Sequence, residues 1–149
     1  ADILGQGEKL PAAAGEDSFS FLSVLLGKAG KKLVRPFTIH HSINGSFAIR
    51  RGHWKLILCP GSGGWSAPRP AQALKNKDLS LVQLYNLDDD PAEKNNLAGQ
   101  KRTLVNELVD QLVTAIKNGR TNPGPKQSNE GWPNTFHPRV LARFPQLGK

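Results

Sequence analysis

The sequence predicts an α+β fold in which a four-stranded antiparallel sheet packs against one C-terminal α-helix, with a short N-terminal helix and an irregular Pro-rich tail. Three observations predict it. Apolar residues alternate with period two over residues 37–58, where Asn44-Gly45 and Arg51-Gly52 mark reversals. A further alternating run covers residues 81–87. Apolar residues then recur with the 3.6-residue period of a helix over residues 104–116.

The N-terminal part, residues 1–36, is predicted to contain a short helix and a basic linker. Asp17 or Ser18 is a candidate N-cap and Gly27 a candidate C-terminal stop for a helix within residues 16–27, whose apolar face requires a partner. The first residues resemble the last turn of a helix. We therefore expect the chain to begin inside a longer protein.

Residues 37–119 are predicted to form the folded subdomain. Asn-Gly between alternating runs is a strong hairpin signal, and a type I′ turn would place both Asn44 and Gly45 at positive φ. With the Arg51-Gly52 reversal, residues 37–58 give three strands in a meander, and residues 81–87 supply the fourth. A sheet with one apolar face needs a covering layer. The helix predicted at about residues 101–118 provides it, and Gly119 ends that helix.

The tail, residues 120–149, is predicted to be irregular because its prolines interrupt regular structure. Two alternatives remain for its aromatic residues. Trp132 and Phe136 either dock on the domain or belong to an unrelated extension.

Composition and charge restrict the classes of function. A chain of 149 residues with 38% hydrophobic content fits one modest core, and a single cysteine excludes an intrachain disulfide. The net charge of +8 is compatible with an anionic partner. The densest basic cluster has no interleaved aromatic residues, which argues against nucleic acid; it consists of Lys28, Lys31, Lys32 and Arg35. No run approaches the roughly 20 apolar residues of a membrane span, and no export signal is recognisable.

Two motifs carry a resemblance to one enzyme family. The segment from Leu84 to Ala98 has the order L-Y-x-L-x-x-D-P-x-E-x-x-N-L-A, and the segment from Phe37 to Ile57 contains F-A-I-R-x-G-x-W-K-L. Both resemble the C-terminal subdomain of the arylsulfatase-like sulfatases, sulfuric ester hydrolases of the alkaline-phosphatase-like superfamily. The resemblance extends over residues 1–126.

The resemblance implies an enzyme whose chemistry lies in a different domain. Sulfatases carry a Cys-x-Pro-x-Arg or Ser-x-Pro-x-Arg motif that yields formylglycine, together with a divalent metal, calcium, in an N-terminal catalytic domain. Cys59 does not match this motif, since Gly61 and Gly63 stand where proline and arginine are required. The chain then corresponds to a C-terminal subdomain whose partner is the missing catalytic domain, through which it meets a sulfate-ester substrate. Alone, it is expected to be inactive, without catalytic residues, metal ligands or cofactor. A periplasmic or secreted location is also implied.

Two alternatives to this assignment stay open. One is a stand-alone basic module that binds sulfated or other anionic polymers without chemistry. The other is a truncated product without function.

His40 and His41 are the first candidates for a substrate pocket. Adjacent strand residues face opposite sides of a sheet, so one of the two must point away from the covered face. In sulfatases this strand lies against the catalytic domain, which implies that a histidine here can donate to a sulfate oxygen. The alternative is a histidine hydrogen-bonded at an interface. As a metal site the pair is weak, because neighbouring side chains diverge.

Trp65 is the third candidate for the substrate pocket. It lies in the loop Cys59-Pro60-Gly61-Ser62-Gly63-Gly64-Trp65, which matches no phosphate-binding or nucleophile motif. The resemblance implies a loop beside the substrate entrance, where Trp65 offers an apolar face to an aryl or sugar group. The alternative is a flexible connector with one packed tryptophan.

Several charged residues are assigned no chemistry from sequence. Asp88-Asp89-Asp90 lacks the alternating oxygen ligands of a calcium loop and is interpreted as a turn before Pro91. Asn95-Asn96 is interpreted as a cap for the following helix. Arg50 and Lys55 are interpreted as solvated or interface residues of the strands.

Overall fold

A computed structural model describes residues 1–28, 30, 34–129 and 136–148 of the chain. Within these residues, eight helices and strands define the fold, and short 3-10 turns add to them at Asp2–Leu4, Gly7–Lys9 and Pro145–Gly148. The strands are β1 (Thr38–His41), β2 (Phe47–Arg51), β3 (Trp54–Ile57) and β4 (Gln83–Asn86). The helices are α1 (Leu22–Leu25), α2 (Pro70–Lys75), α3 (Arg102–Asn118) and α4 (Pro138–Arg143). The predicted α+β class is confirmed.

The four strands form one antiparallel sheet in the order β1-β2-β3-β4, as predicted. Ile39, Ile49, Leu56 and Leu84 follow one another across the sheet in register, so their side chains share one face. Ile49, Leu56 and Leu84 are fully buried there. The opposite face, here called the helix-free face, carries the alternate strand positions; they are Thr38, His40, Ala48, Arg50, Lys55, Ile57, Gln83 and Tyr85.

Helix α3 covers the apolar face and completes the core. Its buried stripe follows the helical period and packs with the sheet; it consists of Val105, Leu108, Val109, Leu112, Val113 and Ala115. The helix begins one residue after the predicted start and ends at Gly119, which adopts φ 63 and caps it in the left-handed conformation. None of the helices in the described ranges has the length and hydropathy that a bilayer-spanning helix requires.

The turn between β1 and β2 differs from the predicted type I′ turn. The connection runs over residues 42–46, and of the two central residues only Gly45 has a positive φ, at 80°. The Asn44 side-chain oxygen accepts hydrogen bonds from the Ser46 amide at 3.0 Å and from the Ser42 hydroxyl at 2.6 Å. These bonds stabilise the wider turn, in which Asn44 keeps an ordinary backbone conformation. The Gly52 reversal is confirmed, with φ 61.

Asn96 does not cap α3, contrary to the sequence interpretation. Its side chain instead bonds the free edge of β4, accepting from the Leu84 amide at 3.0 Å and donating to the Val82 carbonyl at 3.0 Å. Lys101 precedes α3 and makes no side-chain cap. The chain after the acidic turn thus covers an edge strand that would otherwise expose unpaired backbone groups.

The tail is more regular than the prolines suggest. Pro138 stands in the first turn of α4, where a missing N–H costs no hydrogen bond, and the His137 ring accepts from the Arg139 amide. Trp132 lies outside the described residues. Of the two alternatives left open for Phe136, the structure shows docking on the domain, since Phe136 joins the main core together with three other tail residues, namely Val140, Phe144 and Leu147.

The N-terminal helix is shorter than predicted. It covers Leu22–Leu25 rather than residues 16–27, and neither Asp17 nor Ser18 caps it. Side chains of the predicted apolar face stay exposed: Phe21 at 58%, Leu25 at 58% and Leu26 at 56%. Lys31 and Lys32 of the basic linker lie outside the described residues.

Candidate functional site

The two histidines lie at the end of β1, an edge strand, and face opposite sides of the sheet as predicted. His40 pairs with Ala48 and belongs to the helix-free face, whereas His41 pairs with Phe47 on the side of α3. His41 Nδ1 lies 3.1 Å from the Ser42 carbonyl oxygen, to which it donates. Its ring meets the edge of Phe47 at 6.2 Å between centroids. Both histidine side chains are exposed.

A cavity of about 270 Å³ runs along this edge and brings the two histidines together. Among the described residues no strand pairs with the outer side of β1, so side chains from both faces reach the same opening. Asp17, Arg35 and Thr121 line the cavity as well. It therefore combines two imidazoles, a guanidinium, a carboxylate and a hydroxyl, a set that can hold an anionic group and hydrogen-bond to hydroxyls.

The wall opposite the histidines is held by hydrogen bonds between the N-terminal segment and the residues that follow α3. Asp17 Oδ1 accepts from the Thr121 amide at 3.0 Å and from the Thr121 hydroxyl at 2.9 Å. The Asn122 side-chain amide donates to the carbonyls of Gly15 and Ser18. Arg35 donates to the Asp17 carbonyl at 3.1 Å and lies over the Phe19 ring.

Arg120 anchors this wall and was not singled out from sequence. It is only 6% exposed, and its guanidinium donates to the carbonyls of Ala12, Pro125 and Asn122 and to the Asn122 side-chain oxygen. Buried arginines are rare unless their donors are satisfied. Its position directly after the Gly119 stop was the available signal, because a cation favours a helix C-terminus.

Trp65 lies at the same end of the sheet as His41 and is 73% exposed, so it is not the packed tryptophan of the alternative interpretation. Its loop is fixed by Gln83, whose side-chain amide donates to the carbonyls of Cys59 at 2.7 Å and Gly61 at 2.8 Å. Gly63, at φ 63, approaches Ser42, the residue after His41. Trp65 does not line the histidine cavity.

A second polar cluster joins the two sequence motifs on the helix-free face. Arg50 lies directly opposite Lys55, which lies opposite Tyr85. Lys55 Nζ pairs with a Glu93 carboxylate oxygen at 2.5 Å, and the Tyr85 hydroxyl donates to the Gln83 side chain. From sequence, Arg50 and Lys55 were interpreted as solvated or interface residues, because pairing across strands and with a distant turn cannot be seen in local periodicity.

The protonation of His40 follows from this setting. Partial burial lowers the pKa of His40 below its ordinary value, and the positive charges of Lys55 and Arg50 lower it further against the opposing effect of Glu93. His40 is therefore a neutral imidazole near pH 7, able to donate from one ring nitrogen and accept at the other.

Neither formylglycine nor a metal fits the described side chains. Cys59 is buried, and burial raises the pKa of its thiol, which makes it unreactive in addition to lacking the motif. The described segments contain no group of three or more His, Cys, Asp or Glu residues placed to hold a cation. The acidic turn is occupied by its own hydrogen bonds, since Asp90 accepts from the amides of Lys94 and Asn95 and these bonds lower its pKa.

Comparison with known proteins shows that this chain is similar to part of larger sulfatases. The chain is 34% identical over 113 residues to an N-acetylgalactosamine-6-O-sulfatase of Bacteroides thetaiotaomicron, a match that covers 74% of this chain and 20% of that protein. A solved Bacteroides thetaiotaomicron sulfatase chain, from work on the metabolism of multiple glycosaminoglycans, superposes with a TM-score of 0.57 and 31% identity. It covers 77% of this chain and 22% of its own length. No protein-family model matches. The chain spans about one fifth of these relatives, and its sequence and fold are those of a sulfatase C-terminal region.

Proposed function

We propose that this chain is the C-terminal region of a sulfatase that hydrolyses sulfate esters of carbohydrates. The observation that carries the proposal is the match of 74% of the chain to a sulfatase that is 34% identical and named for a 6-O-sulfated amino sugar. The nucleophile and the metal would belong to a catalytic domain outside this sequence, because the described residues supply neither. The isolated chain would then catalyse no turnover.

The role proposed for this region is to form one wall of the substrate pocket. In the edge cavity the guanidinium of Arg35 attracts the sulfate group, and the imidazoles of His40 and His41 hydrogen-bond to it. The Asp17 carboxylate is an acceptor for a sugar hydroxyl. Trp65, exposed at the same end of the sheet, presents an apolar face on which a sugar ring can stack.

The exposed apolar side chains of the N-terminal segment support a contact with the catalytic domain. Ile3 is 65% exposed and Leu4 76% exposed, and α1 exposes Val24 and Leu25 as well. Monomeric proteins rarely leave such a concentration of apolar side chains in water. We assign this surface to the catalytic domain, which is the proposed partner.

The proposal is tested by binding and by turnover on the purified chain. N-acetylgalactosamine-6-sulfate is titrated in NMR experiments, with unsulfated N-acetylgalactosamine as the control ligand. We expect the sulfated sugar to shift the His41 ring and the Trp65 indole, and His41→Gln to weaken binding about fivefold, since it removes one polar contact. His53→Gln, at the opposite end of the sheet, is the matched control. Sulfate release by this chain with added calcium, or equal binding of both sugars, would contradict the proposal.

A further inference from the structure

The helix-free face has an unbalanced positive charge at its centre. Arg50 and Lys55 are direct cross-strand partners, an arrangement in which like charges repel. Glu93 neutralises Lys55, but the part of the chain that the structure describes places no carboxylate within ion-pair distance of Arg50. The Arg50 Nε donates to the Gly52 carbonyl at 2.9 Å, which leaves the terminal nitrogens of the guanidinium exposed to solvent. This position favours an anion from outside.

His40 lies beside that unbalanced charge. It pairs with Ala48, two residues from Arg50 along β2, and the two side chains share the helix-free face. A neutral imidazole next to two cations contributes a donor or an acceptor without adding repulsion. Arg50 and His40 thus form a two-point contact for a sulfate or carboxylate group, the guanidinium supplying charge and the imidazole a hydrogen bond.

Lys55 and Glu93 add the chemistry that recognises hydroxyl groups. Their ion pair is partly exposed, with side-chain exposures of 21% and 30%, so both heads remain within reach of a ligand. An ammonium and a carboxylate side by side present donors and acceptors together, and each hydroxyl of a sugar can use both. Neighbouring hydroxyls can therefore bridge the pair.

From this geometry we propose that Arg50, His40 and the Lys55–Glu93 pair form a binding site for an anionic saccharide. The sulfate or carboxylate group lies at Arg50 and the ring hydroxyls lie at Lys55 and Glu93. The site adjoins the edge cavity, because His40 borders both, but it includes neither His41 nor Asp17. The choice of a saccharide among anions rests on the proposed function.

The test uses four probes on the full chain: N-acetylgalactosamine-6-sulfate, glucuronate, unsulfated N-acetylgalactosamine and inorganic sulfate. Histidine and backbone amide signals are followed by NMR at low salt, where electrostatic attraction is strongest. We expect the sulfated sugar or glucuronate to shift the Arg50 and Lys55 amides and to raise the pKa of His40, because an anion stabilises the imidazolium. The response to each probe tells a sulfate-carrying ligand from a carboxylate-carrying one.

Variants distinguish binding at this site from an effect of the net charge and from a loss of the fold. Arg50→Gln is expected to weaken binding about tenfold, since a charge-assisted hydrogen bond is lost. Arg50→Lys keeps the charge without the planar fork and is expected to weaken binding less. If Arg50→Gln does not fold, the affinity of Arg50→Lys for the anionic sugars is compared with that of the unchanged chain, and a loss supports the site. Arg102→Gln, exposed at the start of α3, removes the same charge elsewhere and is expected to change nothing.

Three binding results would overturn the inference, and a fourth concerns which signals shift. They are unchanged affinity in Arg50→Gln, equal binding of inorganic sulfate and the anionic sugars, and no response to any saccharide. The last result would indicate that an acidic protein surface, and not a sugar, occupies the site. Shifts confined to His41 and Trp65 would also overturn it while supporting the proposed function. Shifts at Arg50 without any at His41 would support the inference and contradict the proposed substrate wall.

Discussion

Lys55 Nζ lies 2.5 Å from a carboxylate oxygen of Glu93, although the two residues are 38 positions apart in the chain. The pair joins the strand motif around β3 to the acidic turn after β4. Glu93 holds a φ of 55°, the only positive φ of a non-glycine residue in the described ranges. Such a conformation is disfavoured for glutamate, so the interaction with Lys55 helps to hold the turn in this shape.

The Lys55–Glu93 ion pair is expected to stabilise the fold more than the exposed pair Arg51–Glu107, whose side chains are 36% and 53% exposed. A double-mutant cycle with Lys55→Met and Glu93→Gln should give a coupling energy of about 1 kcal/mol, against at most about 0.5 kcal/mol for Arg51→Met and Glu107→Gln. Urea unfolding measures both cycles. Equal coupling energies would show that partial burial does not strengthen the pair.

His40 is expected to destabilise the fold at acidic pH. Its pKa is lowered in the folded chain, so the unfolded chain binds a proton more readily. The stability contribution is complete above the unfolded value of 6.5 and is lost as pH falls through the folded pKa. Lys55→Met should raise the pKa of His40 measured by NMR, because it removes the positive charge that lowers this pKa most. A pKa of His40 above that of an unfolded histidine would contradict this account.

Arg120→Met is expected to destabilise the fold by about 2–4 kcal/mol, because it removes all the hydrogen bonds that the buried guanidinium donates to the carbonyls of Ala12, Pro125 and Asn122 and to the Asn122 side chain. The effect should concentrate on the wall of the edge cavity. Amide hydrogen exchange should accelerate at Thr121 and Asn122, whose amides donate to the carbonyl of Glu16. Arg35→Gln, which removes an exposed hydrogen bond to the same segment, is the control and should cost under about 1 kcal/mol. Uniform exchange throughout the chain would contradict a local anchor.

Gly63→Ala is expected to destabilise the fold more than Gly45→Ala. Both glycines have positive φ, which costs about 1 kcal/mol for alanine. A Cβ on Gly63 would also lie 2.7 Å from the Ser42 hydroxyl and 3.0 Å from the Cys59 sulfur, whereas Gly45 has open space. The steric conflict should add about 1–3 kcal/mol. Thermal unfolding of both variants checks the difference, and equal losses would mean that the Trp65 loop is not packed against the hairpin.

Sequence patterns predicted the elements whose signals are local. The meander and α3 follow from alternation and from the 3.6-residue period, which record directly which side chains are buried. The prediction of a type I′ turn at Asn44-Gly45 was wrong, because the Asn44 side chain accepts hydrogen bonds from Ser42 and Ser46 and these favour a wider turn. The helix cap predicted for Asn96 was wrong for a related reason. A side-chain amide that can cap a helix can equally hydrogen-bond the backbone at the edge of a strand.

The candidate site could be predicted only in part. Its histidines were identified on β1, but the cavity beside them is built by Asp17, Arg35 and Thr121, which come from three distant places in the chain. Hydrogen bonds such as that from Thr121 to Asp17 join residues 104 positions apart and leave no periodic trace in the sequence. The same holds for the pairing of Lys55 with Glu93.

The docked tail has a practical consequence for where the chain can be cut. The sequence resemblance ends near residue 126, and a version shortened there would appear to keep the whole subdomain. It would lose Phe136, Val140, Phe144 and Leu147, all members of the main core. Water would then reach Phe47, whose ring packs 5.1 Å from that of Phe136. If the shortened protein precipitates, the cause would therefore be the loss of part of its hydrophobic core and not a wrong family assignment.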